Sequence, residues 1–168
     1  MKISTKGRYA LRLMMDLAMH GETENVTVKE IAERQDISVK YLEQLMSILC
    51  KADLVRSERG PQGGYQLTRP PEEYTAGTIL RLMEKSMAPS VCVSETHICE
   101  RAGRCASMIL WKKLDDAVND VLDETTLEDM ARWESILCSQ QRQPAFDAKA
   151  LFEEGYITPS ICSTAKKD

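Results

Sequence analysis

Three cysteines in the second half of the chain are the residues whose type and spacing most clearly indicate chemistry. Cys92, Cys99 and Cys105 are separated by six and five residues, in a segment with few apolar side chains. A structural cysteine usually lies on an apolar helical face, as Cys50 is expected to do, whereas a polar loop favours metal-binding or redox-active thiolates. Structural zinc sites usually have only about two to four residues between paired cysteines. The wider spacing therefore favours a larger thiolate-bound group, such as an iron–sulfur cluster.

The residues around these cysteines agree with a negatively charged group. Arg101 and Arg104 would offset the charge of a thiolate-bound cluster, and Cys105 precedes a predicted helix whose N-terminal dipole favours the thiolate. Three thiolates leave one ligand position open, and His97 is the nearest candidate for it. Zinc binding and the oxidation of unligated thiols stay open as alternatives.

A second set of polar residues has the hydrogen-bonding groups that read DNA bases. From residue 38 to residue 51 the apolar side chains repeat at helical spacing, so the polar ones share the opposite face. On that face Gln44 can pair with adenine, and Glu43 can accept a hydrogen bond from a cytosine amino group. A merely solvated helix would show the same pattern. The outward-facing candidates for DNA contact are Ser38, Lys40, Tyr41, Glu43 and Gln44.

Two further segments strengthen the case for DNA. A glycine-rich hairpin tip next to basic residues lets the backbone approach phosphates and lets an arginine enter a narrow minor groove. The N-terminus of the first helix is a natural phosphate-binding position. The candidates are Arg56, Arg59, Gly60, Gly63 and Gly64 in the hairpin, and Ser4, Thr5, Lys6 and Arg8 at the helix start.

The elements that carry these residues follow from apolar spacing and capping residues. Residues 5–20 form a predicted helix that ends at Gly21, and Thr27 opens a short helix with a capping box. A tight turn leads into the helix that begins after Ser38, and residues 54–67 predict a hairpin. A helix-turn-helix followed by a hairpin is the outline of a winged helix. Downstream, Thr75 caps another helix, and residues 106–122 form a long amphipathic one. Residues 126–129 then cap a further short helix.

Composition and charge limit the class of protein. Residues 1–70 carry eleven basic and nine acidic residues, and the remainder carries eleven and seventeen, so a net charge of −4 conceals a basic first part. Neither a membrane span nor a secretion signal is apparent, which predicts a cytoplasmic protein. The sequence has no phosphate loop, no His-Glu metal helix and no nucleophile motif, and only two histidines, so we do not expect an enzyme.

The expected fold is mainly α with a small β-hairpin wing, a winged helix-turn-helix plus a long dimerisation helix. Pro70-Pro71 marks a boundary between modules. The expected organisation is a DNA-binding domain at 1–70, a cysteine loop and dimerisation region at 71–138, and a loosely ordered tail at 139–168.

Four ordered motifs resemble those of the Rrf2-type winged-helix transcription regulators. They are MKISTKGRYA at 1–10, YLEQL at 41–45, RGPQGGY at 59–65 and TLED at 126–129. With three loop cysteines, the closest type is the iron–sulfur cluster regulator (IscR-like) branch. The resemblance extends from residue 1 to about residue 138.

This resemblance implies a homodimer whose two winged helices bind an inverted repeat in promoter DNA. It also implies cluster ligation by Cys92, Cys99 and Cys105, and DNA contact by Glu43, Gln44 and Arg59. The cluster is usually [2Fe–2S], and the regulated genes serve cluster assembly or sulfur metabolism. Whether the protein activates or represses stays open.

The chain departs from the branch pattern at three positions. The first cysteine gap is one residue longer than in the best-known pattern, and Met108 stands where that pattern has a histidine ligand. Some relatives use an acidic residue early in the first helix, where this chain has Arg8. These departures leave open a [4Fe–4S] cluster and a fourth ligand such as His97 or solvent. Apart from them, two alternative functions stay open. One is a cluster-free sulfur-responsive regulator that acts through a partner protein, and the other is an iron–sulfur carrier or electron-transfer protein.

Overall fold

The computed structural model describes residues 2–21, 24–60, 62–94 and 99–140. The chain divides into two compact units, residues 1–132 and 133–168. The helices are α1 (Thr5–His20), α2 (Val28–Gln35), α3 (Val39–Lys51), α4 (Ala76–Met83), α5 (Ala106–Glu124) and α6 (Leu127–Gln140), and the strands are β1 (Val55–Glu58) and β2 (Gly64–Leu67). Short 3-10 turns lie at Pro71–Glu73, Val91–Val93 and Ala102–Arg104. Of the tail expected at residues 139–168, residues 141–168 lie outside the described residues.

The first three helices pack around one apolar core. In α1 the residues at helical spacing, Leu13, Met14 and Leu17, are fully buried, as the apolar pattern predicted. They meet the buried face of α3, which consists of Leu42, Leu45, Met46 and Leu49. Ile31 of α2 is fully buried in the same core, so the predicted helix-turn-helix of α2 and α3 is confirmed as a packed unit.

Local capping fixes where α2 and α3 begin. Thr27 and Glu30 form the predicted capping box, in which the Thr27 hydroxyl accepts from the Glu30 N–H and the Glu30 carboxylate accepts from the Thr27 N–H. Asp36 ends α2 in the left-handed conformation, with φ 52°, and buried Ile37 fills the turn. Ser38 occupies the N-cap position of α3, but its side chain makes no capping hydrogen bond.

The hairpin is antiparallel, with Val55 opposite Leu67 and Glu58 opposite Gly64. Val26 forms a bridge with Tyr65, so the segment before α2 lies beside β2. Gly64 is required there, because a Cβ atom would lie 2.8 Å from the Val26 carbonyl oxygen. This mainly helical architecture with one hairpin confirms the expected fold class.

The core continues past the two prolines into α4 and the start of α6. The Tyr74 side chain is fully buried, and its hydroxyl donates to the Leu54 carbonyl at 2.9 Å. Thr75 caps α4 by accepting from the Thr78 N–H, as predicted. Leu127 is also fully buried, and its N–H donates to the Tyr74 carbonyl at 2.8 Å. In the part of the chain that the structure describes, no helix has both the length and the apolarity of a membrane span.

Candidate DNA-binding surface and cysteine segment

The starts of α1 and α3 lie side by side. The Tyr9 and Tyr41 rings meet edge to face, with centroids 5.7 Å apart. Because Tyr9 lies near the start of α1 and Tyr41 near the start of α3, this contact brings two predicted DNA-contacting segments together. Tyr41 is half-buried against the core, so only part of its side chain faces outward.

The polar face of α3 is exposed as the spacing predicted. Glu43 and Gln44 are exposed, and so are Ser38 and Lys40 at the helix start. Their apolar neighbours on the opposite face hold the helix against α1 and α2, so these side chains stand on a rigid element. Cys50, near the end of α3, is half-buried against the core, and burial raises the pKa of its thiol. This agrees with its interpretation as a structural cysteine.

The hairpin presents two arginines to solvent. Arg59 is exposed next to Gly60, whose φ of 127° is open to glycine alone in practice. Arg56 is exposed on β1 and donates to the Gln66 side chain at 2.6 Å. The Gly63 N–H donates to the Gly60 carbonyl at 3.0 Å, and a Cβ atom on Gly63 would lie 2.5 Å from the Glu58 carbonyl oxygen. The two glycines thus keep the tip tight, with Arg59 at its edge.

The residues at the start of α1 that were predicted to bind a DNA phosphate differ in their exposure and in their hydrogen bonds. Arg8 is exposed and donates to the Thr5 hydroxyl at 3.1 Å, and Thr5 is itself exposed. Lys6 is half-buried. Ser4 caps the helix by accepting from the Gly7 N–H, while its own N–H and hydroxyl both donate to Glu84 Oε1, at 2.9 and 2.7 Å. Glu84 was not among the residues predicted from the sequence.

A buried carboxylate, also not predicted, ties α1 to α2. Asp16 is 1% exposed and accepts hydrogen bonds from the Arg34 guanidinium at 2.6 to 3.2 Å and from Gln35 at 3.0 Å. This contact raises the pKa of Arg34 above its ordinary value. An acidic residue between the buried positions 13, 14 and 17 of α1 was the available sequence signal.

The three loop cysteines are free, half-buried thiols in separate local structures. Cys92 lies in the turn Val91–Val93, where its N–H donates to the Ser90 hydroxyl at 3.2 Å. The Cys99 carbonyl accepts from the Ala102 N–H at 3.0 Å, and Cys105 occupies the N-cap position of α5. The predicted fourth ligand, His97, lies outside the described residues.

The donor chemistry of this segment suits a thiolate-bound cluster, but the thiols are not assembled. Within the described residues no group of three or more Cys, His, Asp or Glu side chains could hold a metal ion. A cleft of about 570 Å³ adjoins Cys105, and its lining includes Arg104, Lys112 and Lys113, of which Lys112 pairs with Asp116. Half-buried Met108 also lines the cleft, with a thioether in place of an imidazole.

Helix α5 carries an apolar stripe that is exposed in the part of the chain that the structure describes. None of its 19 residues is buried, and Leu110, Leu114 and Val121 are 52%, 41% and 63% exposed. Their spacing of four and seven places them along one face over roughly 16 Å. Exposed apolar surface of this kind marks an interaction site.

Comparison with known proteins gives a consistent result. Residues 3–132 match the family described as Rrf2, iron-dependent transcriptional regulator. The chain is 39% identical over 138 residues to protein rrf2 of Nitratidesulfovibrio vulgaris, which covers 82% of this chain and 91% of that protein.

Two solved structures are similar. One is CymR, the global cysteine regulator of B. subtilis, at 44% identity and a TM-score of 0.68 over 79% of this chain and 98% of that one. The other is T. potens IscR, at 35% identity and a TM-score of 0.64 over 89% and 96%.

Proposed function

The chain belongs to the Rrf2 family of winged-helix transcriptional regulators, and we propose that its binding to promoter DNA is controlled by an iron–sulfur cluster on Cys92, Cys99 and Cys105. The observation that carries this proposal is the occurrence of three free, half-buried thiols in one segment, directly before α5. The likeness to an IscR structure supports it. The site would take a [2Fe–2S] cluster, with [4Fe–4S] as the alternative and His97 as a candidate fourth ligand.

The cluster, when bound, would link the three thiolates. Its presence would depend on redox state and on the supply of iron and sulfur. Arg101 and Arg104 are exposed within the same segment and would offset its negative charge. Cys105 stands at the N-terminus of α5, so its thiolate would interact favourably with the helix dipole. Binding at this position connects the state of the cysteine segment to α5.

DNA would be bound by the exposed start of α3, the hairpin tip and the start of α1. In this proposal Glu43 and Gln44 read base edges in the major groove, and Arg59 enters the adjacent minor groove. Lys40, Tyr41, Arg56, Thr5, Lys6 and Arg8 would contact phosphates or the groove wall, together with Ser38 and the backbone at Gly60, Gly63 and Gly64. These assignments rest on charge and on position in the winged helix. Exposure supports most of them, but Lys6, Tyr41 and Gly63 are half-buried and Gly64 is buried.

The stripe on α5 would be covered by the same stripe of a second copy. A homodimer held there would present two winged helices to an inverted repeat, with half-sites centred about 34 Å apart or a multiple of it. Such a regulator would act in the cytoplasm, on genes for cluster assembly or for cysteine and sulfur metabolism.

A cluster-free regulator of sulfur metabolism is the second candidate. It is favoured by the likeness to CymR, the global cysteine regulator of B. subtilis. It is also favoured because, among the described residues, no group of three or more Cys, His, Asp or Glu side chains could hold a metal ion. In that case the three thiols would respond to oxidation or to a partner protein.

Anaerobic purification distinguishes the two candidates. The cluster proposal expects a coloured protein with iron and acid-labile sulfide, and expects Cys92→Ser, Cys99→Ser or Cys105→Ser to remove the colour. Cys50→Ser, a change in a half-buried thiol on α3, should keep it. A colourless wild-type protein without iron, or colour that survives in the triple variant, would contradict ligation by these cysteines.

A further inference from the structure

The donors of Ser4, which the sequence assigned to a DNA phosphate, are both occupied by Glu84. The Ser4 N–H and hydroxyl each donate to Glu84 Oε1, at 2.9 and 2.7 Å. A serine has one N–H and one O–H to donate, so in this conformation neither is left for a phosphate oxygen. Glu84 is 80 residues from Ser4 in sequence, and the contact therefore belongs to the tertiary structure.

Gly7 accommodates the close approach of α1 and α4 at this point. A Cβ atom on Gly7 would lie 2.4 Å from Glu84 Oε1 and 3.1 Å from Leu80 Cδ2. Glycine at position 7 thus leaves room for the carboxylate beside the first turn of α1. The carboxylate also lies at the positive end of the α1 dipole, where an anion is stabilised.

Glu84 lies at the end of α4, where the chain continues into the segment that carries Cys92. It is the residue that ends α4, where its backbone is extended and its N–H donates to the Leu80 carbonyl at 2.9 Å. The chain then runs without a further α-helix to the turn that contains Cys92. Glu84, Val93 and Ser94 line one cavity of about 300 Å³, so a shift of the residues next to Cys92 changes the surroundings of Glu84.

We propose that Glu84 is a positioning residue that withholds the two donors of Ser4 from DNA, and that movement of the segment carrying Cys92 releases them. The release step rests on the proposed cluster control, but the withholding step does not. A carboxylate and a phosphate are both anions that compete for the same donors at the same helix end. Removing the carboxylate should therefore tighten DNA binding, and the gain should depend on Ser4.

A double-mutant cycle on the full chain tests the withholding step. Dissociation constants are measured by fluorescence anisotropy at fixed salt, on a duplex that the wild-type protein selects from a random library. Glu84→Ala should bind about three- to ten-fold more tightly, the range of one or two net hydrogen bonds. In a Ser4→Ala background the same change should have little effect. Glu72→Ala, which removes an exposed carboxylate after the hairpin, is the matched control and should change binding by less than about two-fold.

Two results would overturn the withholding step. One is weaker binding by Glu84→Ala, and the other is an equal gain in the Ser4→Ala background, which indicates only relief of charge repulsion. Because Glu84→Ala could loosen α1, Glu84→Gln is measured in parallel, with thermal unfolding to check the fold. The glutamine keeps an oxygen acceptor and should give a smaller, still Ser4-dependent gain, whereas a gain larger than that of alanine contradicts the proposal.

The release step is tested by comparing cluster-loaded and cluster-free protein. The ratio of their dissociation constants should approach one in Glu84→Ala, and an unchanged ratio overturns release through Glu84. A wild-type ratio of one removes the proposed cluster control and the release step together. In that event the Ser4 cycle alone still decides whether Glu84 withholds the donors.

Discussion

Among single residues, Arg59 gives the most direct test of the proposed DNA contact. Its side chain is exposed beside Gly60, at the tip of the hairpin. Arg59→Ala should weaken binding to a selected duplex by about 1–3 kcal/mol if the guanidinium enters a groove. Arg59→Lys keeps the positive charge but loses the planar guanidinium group. The lysine variant should therefore keep the salt dependence of the wild-type protein more fully than its preference for the selected sequence.

The comparison of the two Arg59 variants separates base reading from general attraction. Titration of each variant against selected and random duplexes at several salt concentrations provides the measurement. If alanine and lysine variants bind both duplexes as the wild-type protein does, Arg59 lies outside the interface.

At Asp16 the consequence of a single change is a loss of stability. Asp16 is buried and bound by Arg34 and Gln35, so Asp16→Asn removes the charge that these donors complement. Because Arg34 is 33% exposed, water can compensate in part. The free energy of unfolding, measured with urea, should fall by about 1–3 kcal/mol. Asp36→Asn, an exposed change in the turn after α2, is the control and should be nearly neutral.

Among the elements, α2 should show a pH dependence that originates in its capping box. The hydrogen bonds from the Thr27 N–H and hydroxyl lower the pKa of Glu30 below 4.5. A group with a lowered pKa in the folded state adds stability that is present above its unfolded pKa and is lost as pH falls through the folded value.

Glu30→Gln should therefore lower the free energy of unfolding at about pH 7 by roughly 0.5 kcal/mol, a value discounted for an exposed group. Between about pH 7 and about pH 3 the difference from the wild-type protein should shrink, because the stability that comes from a lowered pKa is lost as Glu30 becomes protonated. Urea unfolding at the two pH values is the measurement, and Glu33→Gln, on the exposed side of the same helix, is the control. A difference that grows on acidification would contradict the capping role.

The elements that could be predicted from the sequence are those fixed by neighbours close in the chain. Thr27, Thr75 and Thr126 each cap a helix by accepting from an N–H three residues later, so local spacing located all three starts. The start of α1 and the apolar face of α3 followed from the same kind of short-range pattern. The extent of α6 did not, because a short helix was expected and the structure extends it from Leu127 to Gln140.

Contacts between residues distant in sequence were not predictable in this way. The Ser4–Glu84 and Arg34–Asp16 hydrogen bonds span 80 and 18 residues, and both depend on how the helices pack. The cysteine segment shows the same limit, since spacing identified the three thiols but did not determine how they are arranged relative to one another. Position 97, between two of them, lies outside the described residues.

At the scale of the whole molecule, the exposed stripe of α5 and the winged helix belong to one argument. A single winged helix offers few base contacts, and linking two of them turns the second binding event into an intramolecular one. In the proposed dimer the stripe on α5 would provide the apolar surface for that link, since Leu110, Leu114 and Val121 are all exposed in the single chain. Binding to an inverted repeat should thus depend on a helix that itself need not touch DNA.

Leu114→Glu tests this dependence, because it places a charge at the centre of the stripe, where a partner helix would desolvate it. Light scattering should give twice the chain mass of 19.0 kDa for the wild-type protein and a single chain mass for the variant. Affinity for the two-half-site duplex should fall by about 10²- to 10⁴-fold, while affinity for a half-site stays close to that of the wild-type protein. Lys112→Glu is the control, since position 112 lies roughly 160° around the helix from Leu114, and it should remain a dimer. A Leu114→Glu protein that is still a dimer and still binds the full duplex would place the dimer contact elsewhere on the molecule.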